Sequence, residues 1–135
     1  MADNKVEFEL VSPERLLLSE PVEMVVVPGE EGDFGVLPKH APLISLVRPG
    51  VIQVYEGNQV KERIFVAGGF AEVTPARCTV LAEQAVPVAE IDRAEVESQM
   101  RNAREDLADA KDDAERKEAE QRIALGEAML AAAGS

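Results

Sequence analysis

Val6, Phe8 and Leu10 alternate with Lys5, Glu7 and Glu9, the period-two pattern of a strand with one face buried and one in water. Apolar runs of strand length recur at 22–27, 43–47, 51–56, 59–67, 71–74 and 78–81, separated by turn residues. Gly57-Asn58, between two of these runs, is a two-residue connection able to take the positive dihedrals of a hairpin turn. Gly68-Gly69 leads into another strand, so a bulge or tight strand corner is expected there, not a phosphate loop. Many short strands at this spacing predict a β-sandwich or flattened barrel over residues 1–87.

Past Pro87 the period changes. From Val88 to Leu125 there is no glycine or proline, and Val96, Met100, Ala103, Leu107 and Ala110 recur at spacings of four and three, a narrow apolar seam that needs a cover. Ala119, Ile123, Gly126 and Leu130 repeat the spacing more thinly. Asp112 with Glu115 three residues on is a variant capping box, so residues 88–135 read as a two-helix hairpin. Nothing at Asp112-Asp113 forbids helix, so a single rod of roughly 40 residues, ~60 Å long, is open to the same segment. Gly126 is expected to fray the last turns, being ~1 kcal/mol poorer than alanine. The fold class is therefore mainly β plus α, a sandwich followed by a helical hairpin.

Residues 25–50 read VVVPGEEGDFGVLPKHAPLISLVRPG, rich in backbone-shaping residues and poor in reactive ones. Gly32 and Gly35 permit conformations closed to other residues, and Pro38, Pro42 and Pro49 each lock a dihedral and remove a donor. The segment predicts a rigid surface loop that holds Glu30, Glu31 and Asp33 outward, followed by the only histidine, His40.

Twenty-six acidic and fourteen basic residues give a net charge of −12, which disfavours nucleic acid and anionic lipid as partners. No apolar run approaches the ~20 residues of a membrane span, and the first residues lack a signal peptide's apolar core, so no direct lipid insertion is expected. One cysteine, Cys78, and one histidine exclude an internal disulfide and the usual zinc constellations, and no metal or cofactor is expected. Cys78 reads as a strand residue.

The run Val27 to Leu43 follows the pattern V-x-G-x-x-G-x-x-G-x-x-P-x-H-A-P-L without a break. With the blocks Ala67-Gly68-Gly69-Phe70-Ala71-Glu72-Val73 and Thr79-Val80-Leu81-Ala82-Glu83-Gln84-Ala85, it resembles the epsilon subunits of F-type ATP synthases, called delta in mitochondria. The resemblance implies a non-catalytic central-stalk subunit that couples c-ring rotation to the catalytic head of a proton-translocating synthase. It implies a peripheral place on the cytoplasmic face of the inner membrane. Carried over by register, Glu31, Gly32 and Asp33 would meet the c ring, and His40 would lie toward the gamma subunit. The helices would reach the alpha and beta subunits and regulate ATP hydrolysis.

Two other readings stand beside this one. Some epsilon subunits bind ATP between the helices through I/L-D-x-x-R-A; here Ile91-Asp92-Arg93-Ala94-Glu95 keeps the first two residues and puts Glu95 where the arginine belongs. An ATP-binding sensor would then have to use Arg101, Arg104 or Arg122. A small carboxylate enzyme would use Asp33 and His40 as an acid-base pair. The brake itself is expected to be weak, because residues 95–135 carry eleven acidic and six basic groups, a net charge of −5.

Overall fold

A computed structural model of the protein describes residues 4–134. It divides into two compact units, Met1–Val88 and Ala89–Ser135.

The first unit holds ten strands: β1 (Val6–Val11), β2 (Leu16–Val22), β3 (Met24–Gly29), β4 (Gly32–Val36), β5 (Leu43–Val47), β6 (Gly50–Glu56), β7 (Gln59–Val66), β8 (Gly69–Val73), β9 (Arg77–Ala82) and β10 (Ala85–Pro87). They pair in the order β10-β7-β6-β3-β5-β8-β9-β1-β2, with β4 added to β3. β1 and β9 run parallel and the other pairs antiparallel. β3 and β5 meet at one residue pair only, Gly29 with Val47. That corner folds the sheet over and sets β10-β7-β6-β3-β4 against β5-β8-β9-β1-β2, the expected sandwich.

The core comes from alternate residues of both layers. Phe8 and Leu10 of β1, Val25 and Val27 of β3, Ile52 and Val54 of β6 and Val80 of β9 are all buried. Each such side chain stabilises the fold by about 1.5–3 kcal/mol on leaving water. Gly69 has φ 137°, and a Cβ there would lie 2.0 Å from the Leu81 carbonyl oxygen, so the Gly68-Gly69 block is a tight corner between β7 and β8.

Several features differ from the pattern reading, among them the short β10, which lies outside every predicted run. β2 begins at Leu16, ahead of the predicted 22–27 run, because its Ser19, Glu20 and Pro21 interrupt the apolar signal; proline is tolerated since β2 ends the strand order. The glycine-rich segment is a hairpin and not a loop: β3 runs through Pro28 to Gly29, and Glu30-Glu31 turns into β4. Gly35 pairs with Val26 inside that ladder, and its φ is not positive.

A 3-10 turn, Val88–Glu90, spans the boundary, and the second unit then holds α1 (Arg93–Ala108) and α2 (Asp113–Ala133). Asp92 caps α1 by accepting from the Glu95 N–H at 3.2 Å, and Asp112 caps α2 by accepting from the Glu115 N–H at 2.8 Å. Glu115 Oε1 reaches back to the Lys111 N–H at 3.1 Å, closing the capping box one residue further out than usual. The segment takes the two-helix form here, each helix with its own N-terminal cap. Val96, Met100 and Ala103 are buried on α1 and Ala119, Gly126 and Ala132 on α2. α2 continues through Gly126 to Ala133, with Met100 packed directly over Gly126.

Candidate docking foot

Glu30 and Glu31 form the tip of the β3–β4 hairpin, between the paired residues Gly29 and Gly32. Neither glutamate takes a positive φ; Gly32 carries it, at 140°, with nothing within 4 Å of where a side chain would be. The tip can therefore tighten without straining its acidic residues, whose side chains stay exposed.

The end of β5 and the residue that follows it brace this tip. The Glu30 N–H donates to the Leu46 carbonyl at 2.9 Å and the Arg48 N–H to the Pro28 carbonyl at 2.9 Å. The Arg48 guanidinium then donates from Nη1 to the Gly29 carbonyl at 2.5 Å and from Nη2 to Asp33 Oδ1 at 2.5 Å. Asp33 is thus exposed but already paired.

His40 stands at the other end of β4, beyond about 15 Å of strand. Its N–H donates to the Leu37 carbonyl at 3.2 Å, and Lys39, at φ 68°, donates to the Pro75 carbonyl at 2.7 Å. Nδ1 lies 2.6 Å from the Ala41 carbonyl, which assigns the proton to that nitrogen. The fold keeps Asp33 and His40 apart, each with its own partner, so the acid-base pair is not assembled. Cys78 is fully buried on β9, and burial pushes its thiol up to about 12, away from nucleophilic use. Among the described residues no group of three or more His, Cys, Asp or Glu side chains is placed to hold a metal ion.

One surface escaped the pattern reading. Leu46, Phe70, Leu81, Val11 and Leu16 are successive partners across β5, β8, β9, β1 and β2, and lie as one apolar row on the outward face. Leu46 is 60% exposed and Leu16 55%, so the row is open to a partner. The signal was the loss of clean alternation at these strand ends, where outward positions should have been polar.

In the helical unit, Asp92 of the partial nucleotide pattern is used as a helix cap. A cleft of about 280 Å³ between α1 and α2 is lined by Met100, Asn102, Leu125 and Arg122. Arg122 is occupied, forming ion pairs with Asp106 and Glu118.

Residues 5–88 match the family model for the β-sandwich domain of the ATP synthase delta/epsilon chain, and residues 92–135 match that for the C-terminal domain of the ATP synthase epsilon chain. This protein belongs to the ATP synthase epsilon-chain family. It is 60% identical to the ATP synthase epsilon chain of Rhodospirillum rubrum over 126 residues, 93% of this sequence and 94% of the relative. The epsilon chain of Rhodospirillum centenum is 58% identical over 135 residues, 96% of this sequence and 92% of the relative. Among solved structures, a subunit in the OSCP/F1/c-ring assembly of Euglena gracilis mitochondrial ATP synthase matches with a TM-score of 0.80 and 28% identity. That match covers 96% of this protein and 81% of the other. A subunit of the Tetrahymena thermophila central stalk and c ring shares the fold, with a TM-score of 0.63 at 17% identity, over 96% of each. Among the described residues no helix is long and apolar enough to cross a membrane.

Proposed function

We propose that this epsilon-family protein is a non-catalytic rotor subunit of a proton-translocating F-type ATP synthase, peripheral on the cytoplasmic face of the membrane. Its sandwich joins the gamma subunit to the c ring. The hairpin tip rests on the ring through Glu31 and Gly32, with Asp33, which the family register also puts at the ring, held behind them by Arg48, and the turn carrying His40 faces gamma. The observation that carries this reading is the separation of those two surfaces along β4. A single stiff body with contacts at both ends transmits torque between two partners, which one contact could not do. The carboxylates at the tip supply orientation and register against basic or amide-rich loops more than raw affinity.

The same reading divides the labour near residue 88. The sandwich couples, and the helices reach toward the alpha and beta subunits. The test is reconstitution of a synthase depleted of its epsilon subunit, scored by ATP-driven proton pumping. The full-length protein and a form ending at Val88 should both restore pumping, and Glu30→Lys with Glu31→Lys should not. Normal pumping by the double-lysine variant would remove the tip from the ring contact.

A further inference from the structure

We propose that Arg48 is the positioning residue of the docking foot, setting both the angle of the hairpin tip and the charge it presents; the inference rests on the tip being a docking surface. Arg48 bridges two groups on opposite strands of the hairpin, the Gly29 carbonyl of β3 and the Asp33 carboxylate of β4, while its own N–H holds Pro28. Among the described residues no other side chain donates to both strands of the tip. The guanidinium fork suits this task because its donors are fixed in a plane and satisfy two acceptors without rearrangement. Pro49 follows directly, and a residue before proline is biased to extended conformations, which narrows the backbone choices of Arg48.

The clasp sorts the three acidic residues into two roles. Asp33 spends its charge inside the molecule, against Arg48. Glu30 and Glu31 form no ion pair among the described residues and project at the turn. A partner therefore meets two carboxylates on a braced hairpin, and the groups complementary to it are cationic or amide donors spaced for two anions. Asp33 serves the foot from behind.

This assignment separates shape from stability. The Arg48–Asp33 pair is open to water, with 42% and 60% of the two side chains exposed, so it adds little to folding. Arg48→Gln should therefore leave the thermal midpoint of the full-length protein within about two degrees of the parent. Binding to the depleted synthase should weaken about tenfold as the tip loses its brace. The salt dependence of binding should grow steeper, since Asp33 is released as a third presented charge. Asp33→Asn keeps an acceptor for Arg48 and should bind as the parent does, whereas Glu31→Gln should not. These variants, measured by titration of the depleted membranes at low and high salt, give separable outcomes. Parent-like binding of Arg48→Gln beside weak binding of Glu31→Gln overturns the clasp and leaves the foot standing. Loss with Asp33→Asn equal to that with Glu31→Gln also overturns it, because Asp33 would then be a contact. Parent-like binding of every variant overturns the foot itself. A fall in midpoint for Arg48→Gln with an unchanged salt slope makes the residue structural and overturns the assignment.

Discussion

Met100 of α1 lies over Gly126 of α2 so closely that a Cβ at position 126 would sit 2.4 Å from Met100 Cγ and 2.7 Å from its sulfur. Intrinsic helix propensity rates alanine about 1 kcal/mol better than glycine at such a position, but overpacking costs typically 1–3 kcal/mol. The second effect wins if Met100 cannot move aside. Gly126→Ala is expected to lower the stability of the helical pair by about 1–2 kcal/mol, read from the thermal loss of helical circular dichroism. Adding Met100→Ala should recover part of that loss. A Gly126→Ala variant more stable than the parent would show the contact to be slack.

Glu62 of β7 and Glu20 of β2 share a half-buried site in which Glu20 Oε1 and Glu62 Oε2 are both shielded from solvent. Burial, and then the Glu20 charge, push the Glu62 carboxyl up from its ordinary value of 4.5, and Lys61 opposes them more weakly. A value raised in the folded state gives a contribution that is complete below pH 4.5 and is lost as the pH rises through the folded value. Glu62→Gln should then match the parent at pH 4 and exceed it at pH 8. The gain should be no more than about 1 kcal/mol because solvent screens the site. An equal difference at both values of pH would show that titration of Glu62 is not the cause.

Cys78 offers a probe of the sandwich. Its thiol is fully buried and held protonated by that burial, so neither access nor ionisation favours attack on a thiol reagent. At pH 8 in native buffer, labelling should follow the opening of the sheet and accelerate by orders of magnitude in denaturant. Immediate labelling of the native protein would contradict the packing of β9.

The helices should be a poor brake. Two of their five arginines are already paired, Arg116 with Asp113 and Arg122 with Asp106 and Glu118. Release from those carboxylates has to precede any docking on an acidic partner surface. The assembled complex should gain less than about half again in ATPase activity when the protein is cut after Val88, given that charge complementarity fixes such docked states. A severalfold rise would mean that contacts other than these ion pairs hold an inhibitory state.

The sequence alone determined the class of most segments, β2 and the β3–β4 hairpin excepted, because period-two and period-three-to-four patterns are local consequences of backbone geometry. The strand of Val6, Phe8 and Leu10, the seam of Val96, Met100 and Ala103, and the caps at Asp92 and Asp112 follow from residues within a few positions of each other. The glycine–proline block marked a shaped surface and named its acidic residues. Only the tertiary structure decided what those residues face. Arg48 is fifteen positions from Asp33 and nineteen from the Gly29 carbonyl, and no periodicity links them. Gly126 read as a weak point until Met100, on the other helix, was placed above it. The outward apolar row needed five strands in register before its members became neighbours. Local patterns fix which face of an element is wet, whereas the partner across a sheet or a helix pair depends on chain reversal, and that depends on how the whole core packs.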